Sequence, residues 1–126
     1  MGAWGINTFE NDGALDWLGE FMDDPSEAAL LTAFTAVPED LEGEDVLAAA
    51  EVVATLRGHP ALTNPGELAD LPPIHAGDDT ASHALAAIDS ILADSNLKDC
   101  WEESGEYPQW LASVDDLRSR LTLPRG

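Results

Sequence analysis

Four side chains with metal-binding chemistry stand close together in the middle of the chain: His75, Asp78, Asp79 and His83. Imidazole nitrogen and carboxylate oxygen are atoms that zinc and other divalent ions take as ligands in proteins. The spacing matches no established signature such as His-Glu-x-x-His. Two interpretations therefore stay open. One is a divalent-metal site, alone or in a metal-dependent hydrolase, and the other is an exposed acidic helix start with two incidental histidines.

Other catalytic arrangements have little support in the sequence. Cys100 is the single cysteine, and the Trp101 that follows it favours a packed thiol over a reactive one. The chain has no Gly-x-Ser-x-Gly elbow, no phosphate-cradling Gly-x-x-x-x-Gly-Lys loop and no dinucleotide-binding Gly-x-Gly-x-x-Gly turn. We therefore favour a protein without enzymatic activity and predict no cofactor.

A stripe of acids marks the first predicted helix, where Asp12, Asp16 and Glu20 follow one another at four-residue intervals. Like charges at this spacing share one face of a helix and repel by roughly 0.2–0.5 kcal/mol per pair. The stripe is either a solvated face or a docking site for a basic partner or a cation.

A second acidic pair, Glu102 and Glu103, directly follows Trp101. As structure, the indole anchors a short segment to the core. As function, an exposed indole and the two acids form part of a partner groove, because tryptophan is enriched at binding hot spots.

The charge balance constrains the partners. The 126 residues carry 25 acids against 5 bases, a net charge of -20. Such a field repels nucleic acid and anionic membranes and attracts basic proteins. We therefore predict no direct nucleic-acid or membrane binding and a basic protein partner. Acidic mimicry of DNA and a plain adaptation to solubility or a saline habitat are the alternatives.

Helical signals determine the elements that must position these residues. Asn11 or Asp12 is predicted to cap the first helix, and Asp24-Pro25-Ser26-Glu27 reads as a capping box for the second. The later signals are a third helix over about 44–57 with Gly58 after its end, a fourth over about 80–93 capped by Asp79 or Thr80, a fifth opened by Ser95, and a last helix framed by Gly105 and Pro108.

The third of these helices is apolar nearly all round, which is typical of a central, buried helix. Glu51 is its notable exception. It either faces solvent on a narrow polar stripe, or it is buried, in which case it needs a partner or a raised pKa.

No segment alternates with the period of a β-strand. We therefore expect an all-α protein: a single domain over residues 1–126, built as an irregular bundle of five to six short helices, with a loop-rich segment at about 58–79. The aromatic residues near the start, among them Trp4 and Phe9, predict an ordered N-terminal arm. A lone cysteine, no signal-peptide pattern and no apolar run of membrane-spanning length predict a cytoplasmic protein.

Both ends of the chain resemble one family. The opening Met1-Gly-x-Trp-Gly and Phe9-x-Asn-Asp-x-Ala-x-Asp-Trp17 resemble the start of the bacterial family named domain of unknown function 4259. The later Ala84-Leu-x-Ala-Ile-Asp-x-Ile-Leu92, Ser95-x-Leu-x-x-x-Trp-Glu-Glu-Ser104 and Trp110 resemble its closing half. The resemblance implies no established activity and supplies no catalytic residues.

Together these observations favour a small cytoplasmic protein-binding domain of a toxin-neutralising or immunity type. Its partner-binding residues would be Asp12, Asp16, Glu20, Glu102 and Glu103. The sequence leaves the oligomeric state open.

Overall fold

The computed structural model describes residues 8–9, 12–35, 43–61, 68, 71–93 and 95–123. The helices are α1 (Asp12–Asp23), α2 (Glu27–Thr35), α3 (Gly43–Leu56), α4 (Asp78–Ala93), α5 (Asn96–Ser104) and α6 (Tyr107–Thr122). No strand occurs among the residues just given, so the expected all-α single domain is confirmed. Most of the predicted N-terminal arm, including Trp4, lies outside the described residues, and the domain bounds of 1–126 stay a prediction.

Helix α3 is the centre of the bundle. The nine consecutive residues from Val46 to Ala54 are all buried, as its apolar sequence predicted. Helices α1, α2, α4, α5 and α6 all pack against it. The small residues Ala48, Ala49 and Ala50 allow neighbouring helices to approach closely, so several elements share one short central helix.

The outer helices bury the stripes that the periodicity predicts. On α6 the buried residues are Trp110, Val114, Leu117 and Leu121. Trp101 of α5 is 5% exposed and stacks on Trp110 with 6.1 Å between ring centroids. The indole therefore anchors α5 to the core, as the first of the two interpretations holds, and the alternative of an exposed Trp101 in a partner groove is wrong.

Several helix ends agree with the sequence signals. Gly58 has φ 92 and donates its N–H to Thr55 at 3.1 Å, while His59 donates to the carbonyl of Ala54 at 2.8 Å. This is the glycine-terminated end predicted for the third helix. Ser95 caps α5 by accepting the Lys98 N–H at 3.0 Å.

Two predicted caps are wrong. The hydroxyl of Ser26, not the carboxylate of Asp24, accepts the N–H of Ala29 at 3.1 Å, and α2 begins at Glu27. Helix α4 begins at Asp78 and its Ala81 N–H binds the Gly77 carbonyl, so neither Asp79 nor Thr80 is the cap. Helix α2 thus begins two residues later than a cap at Asp24 implies, whereas α4 begins two residues earlier than the predicted start at 80.

Two further features bear on function. The Cys100 side chain is exposed, so the prediction of a packed thiol is wrong. Successive residues of a helix are rotated by about 100° around its axis, and on α5 the neighbouring Trp101 is the residue that faces the core. In the part of the chain that the structure describes, no helix has both the length and the apolarity needed to cross a membrane.

Candidate functional site

The acids predicted on the first helix lie together on its exposed side. Asp12, Asp16 and Glu20 are all exposed, and at 1.5 Å per residue their positions are about 6 Å apart along the axis. Asp23, also exposed, falls between Asp12 and Asp16 when the helix is viewed down its axis. These four residues are called the acidic face of α1. The opposite side, with Ala14, Leu18 and Phe21, is buried.

Among the described residues, the acidic face of α1 has no cation of its own. The first 56 residues contain no lysine or arginine. Within the described ranges, none of its four acids takes part in an ion pair. The bases of these ranges are occupied elsewhere: Arg57 with Asp78, Lys98 with Glu102, Arg118 with Asp89 and Asp115, and Arg120 with Glu51 and Asp116. The face is therefore free for an external cation.

Gly19 lies at the edge of this face. It is exposed, and a Cβ at this position would meet no atom of the described residues within 4 Å. A glycine inside a helix costs about 1 kcal/mol relative to alanine. No contact with the described residues explains the glycine at Gly19, and the missing side chain leaves room for a partner to approach the helix closely.

The second acidic pair lies on α5. Glu102 and Glu103 are both exposed, and Lys98 donates to Glu102 at 2.9 Å. The hydrogen bond to Glu102, with the carboxylate's charge, raises the pKa of Lys98 although burial opposes the shift. Glu102 is thus partly neutralised within the chain, and Glu103 is the more available of the two.

Helices α1 and α5 both lie against the start of α3. A Cβ on Gly13 of α1 would meet the Glu44 carboxylate, and one on Gly43 would meet the Leu97 side chain of α5. The two groups of predicted partner-binding acids are therefore presented by helices that pack on the same end of the central helix.

The predicted metal-site residues are brought together in one pocket. His75, Asp78, Asp79 and His83 line a pocket of about 470 Å³ between α2 and the start of α4. The rest of its lining is Glu27, Leu31, Gly77 and Thr80. The pocket thus adds a carboxylate from a different helix to the four residues selected from the sequence.

Hydrogen bonds orient the walls of this pocket. The hydroxyl of Thr80, 3% exposed, donates to the Glu27 carboxylate at 3.1 Å. His83 binds the Asp79 carbonyl through Nδ1 at 2.7 Å, so Nδ1 carries the proton. Asp78 is already paired with Arg57 at 3.0 Å. Among the described residues, no three histidine, cysteine or acidic side chains converge closely enough to hold a metal ion.

Glu51 is buried, at 3% exposure, so the interpretation of a solvent-facing Glu51 is wrong. Arg120 donates to both of its carboxylate oxygens, at 2.7 and 3.1 Å, and Thr8 donates to one of them at 3.0 Å. Burial lowers the pKa of Arg120, but the hydrogen bonds and charges of Glu51 and Asp116 outweigh it and leave the pKa raised. With its acceptors occupied, Glu51 joins helices rather than forming a reactive site.

Three residues of the candidate sites were not selected from the sequence: Asp23 of the acidic face, and Glu27 and Thr80 of the pocket. Asp23 was detectable, because it continues the helical spacing of the other α1 acids. Glu27 and Thr80 were not, since their contact crosses 53 residues of chain and depends on how α2 packs on α4.

Comparison with known proteins identifies the family of the chain. No curated protein and no solved structure matches the chain. The family model described as Domain of unknown function (DUF4259) matches residues 2–113, a range that contains every candidate site residue named above. The chain therefore belongs to the DUF4259 family, as its opening and closing motifs indicated.

Proposed function

We propose that this protein is a small cytoplasmic binding domain whose acidic face of α1 docks on a basic protein, in the manner of a toxin-neutralising or immunity protein. The observation that carries the proposal is that, among the described residues, no cation pairs with Asp12, Asp16, Glu20 or Asp23, although all four are exposed on one side of one helix. Glu102 and Glu103 of α5 extend the docking surface.

Electrostatics supports this assignment. The acids of the face repel one another, and Glu20 and Asp23 stand near the C-terminal end of α1, where the helix dipole is negative and the last turn contains no basic residue. A partner's lysines and arginines would relieve both effects. The net charge of -20 would also speed the encounter with a basic partner, by an amount that falls with ionic strength.

The test is a comparative capture from an extract of the native source with three baits. They are the wild type, the variant Asp12→Asn/Asp16→Asn/Glu20→Gln, and a control that removes the same three charges elsewhere, Glu106→Gln/Asp115→Asn/Asp116→Asn. A basic protein held at about 0.05 M salt by the wild type and the control, released at about 0.5 M, and missed by the α1 variant supports the proposal. Equal retention by all three baits refutes it.

A purified candidate partner then allows a direct measurement. Its Kd for the α1 variant should rise at least about tenfold, and the salt dependence of binding should flatten. A Glu102→Gln/Glu103→Gln variant should weaken binding less, because Lys98 already neutralises Glu102. Unchanged affinity of the α1 variant would remove this face from the interface.

A divalent-metal site is the second candidate, and the pocket that gathers His75, Asp78, Asp79 and His83 is the observation in its favour. Metal analysis of gently purified protein, with a thermal shift on adding zinc, tests it. Less than about a tenth of an equivalent of metal and no shift would end this candidate. Mimicry of DNA stays a prediction.

A further inference from the structure

The pocket between α2 and α4 has a lining suited to a cation larger than a metal ion. Among its described lining residues, the two carboxylates without a cationic partner are Glu27 and Asp79, because Asp78 is paired with Arg57, which does not line the pocket. Among the described residues that line it there is no lysine or arginine, and the neutral rings of His75 and His83 add nitrogen acceptors.

Geometry separates the two kinds of cation. A metal requires its ligand atoms within about 2.0–2.6 Å of one point, and no three suitable side chains of the described residues meet that requirement. A guanidinium instead donates hydrogen bonds from three nitrogens, and each acceptor atom lies about 2.9 Å from the nitrogen that it binds. The acceptors therefore stand well apart from one another. Acceptors spread around a pocket of about 470 Å³ therefore fit a guanidinium better than a metal.

Three features of the walls match the parts of an arginine side chain. The Glu27 carboxylate, held by the buried Thr80 hydroxyl, is a fixed acceptor of the kind that guanidinium binds with two parallel hydrogen bonds. Since Nδ1 of His83 donates to the Asp79 carbonyl, Nε2 of the neutral ring is an acceptor. Leu31 supplies apolar surface for the methylene stem.

We propose that this pocket binds one arginine side chain of the basic protein partner and so anchors the complex whose main contact is the acidic face of α1. The inference rests on the proposed function for the identity of the partner. Along the chain, Asp23 ends α1 and Glu27 begins α2 and lines the pocket, so one connected segment supplies both the face and the anchor.

The first experiment uses the isolated protein and a small probe, so it needs no partner. Amide chemical shifts are followed by NMR while Nα-acetyl-argininamide is added, with the uncharged isostere Nα-acetyl-citrullinamide as the control ligand. We expect saturable shifts at Glu27, Thr80 and His83 with the arginine probe, a Kd in the millimolar range, and no saturation with the citrulline probe.

Two variants locate the binding. Glu27→Gln removes the charge but keeps an oxygen that accepts the Thr80 hydrogen bond, so the fold is retained, and it should raise the probe's Kd about fivefold or more. Asp116→Asn, outside the pocket, should leave that Kd unchanged. Equal responses to both probes, shifts confined to α1, an unaltered Kd in Glu27→Gln, or saturation by zinc with none by the arginine probe would each overturn the proposal.

The two proposals can fail separately. If the arginine probe binds the pocket but the α1 variant captures partners as well as the wild type does, the docking face is wrong and the pocket stands. If capture depends on the α1 acids but Glu27→Gln binds both probe and partner normally, only the anchor is refuted.

Discussion

Arg120 binds the Glu51 carboxylate through both terminal nitrogens, at 2.7 and 3.1 Å, and so connects α6 to the centre of α3 across 69 residues of sequence. The same guanidinium donates to the carbonyl of His59 at 3.1 Å and to Asp116 at 2.9 Å. One side chain thereby fixes the start of the segment that follows α3, whose far end contributes His75 to the pocket.

Removing the charge of Glu51 should strongly destabilise the fold. Glu51→Gln leaves the mostly buried Arg120 without its main counter-charge, and such losses typically cost about 3 kcal/mol. Urea unfolding measures the change in free energy. Because the pKa of Arg120 is raised, its stabilising charge persists through the neutral range and would be lost only as the pH rises through that raised pKa. The difference in unfolding free energy between the variant and the wild type should therefore be the same at about pH 7 and about pH 9. Asp116→Asn is the control and should change stability by less than about 0.5 kcal/mol.

Arg57 should matter far more than the aspartate it pairs with. Its guanidinium, 3% exposed, donates to the carbonyl of Ala76 at 3.0 Å, while the Asp78 side chain is 94% exposed. Arg57→Met should therefore cost about 2 kcal/mol or more by leaving a buried carbonyl unpaired, and Asp78→Asn less than about 1 kcal/mol. Comparable losses in urea unfolding of the two variants would contradict this division.

Added salt should stabilise the protein, and screening of the acidic face of α1 should account for a disproportionate share of that stabilisation. Thermal unfolding is followed from about 0.01 M to about 0.15 M sodium chloride. The variant Asp12→Asn/Asp16→Asn/Glu20→Gln should melt higher at low salt and gain less from added salt, because its four-residue repulsions are gone. The equal-charge control Glu106→Gln/Asp115→Asn/Asp116→Asn should keep a steeper dependence. Identical curves would show that only total charge matters.

The position of the α2 cap can be checked by two alanine substitutions. Ser26→Ala removes the acceptor for the Ala29 N–H and should cost about 1 kcal/mol of unfolding free energy. Asp24→Ala should be neutral or slightly stabilising, because Asp24 is exposed just after the negative end of the α1 dipole. The opposite order in urea unfolding would restore Asp24 as the cap.

The α2 cap illustrates how far sequence reasoning reached. Asp24 and Ser26 are both good capping residues, and the local sequence does not decide which of them precedes the helix. Where a single signal stood alone, as at Gly58 and Ser95, the predicted ends are confirmed. The exposure of Cys100 was mispredicted because one of two neighbouring residues on α5 had to face out, and the larger Trp101 buries more apolar area.

The sequence by itself determined the helices, the burial of α3, the stripe of acids on α1 and the family. The helices, the burial of α3 and the stripe follow from periodicity, capping residues and composition, which act over a few residues. The family follows from the motifs near the two ends of the chain. Only the tertiary structure decided that Glu51 is buried against Arg120, that Thr80 holds Glu27, and that His75 and His83 share a pocket with α2. Such pairings depend on the angles and registers at which whole helices pack, and those are set jointly by side chains far apart in the chain.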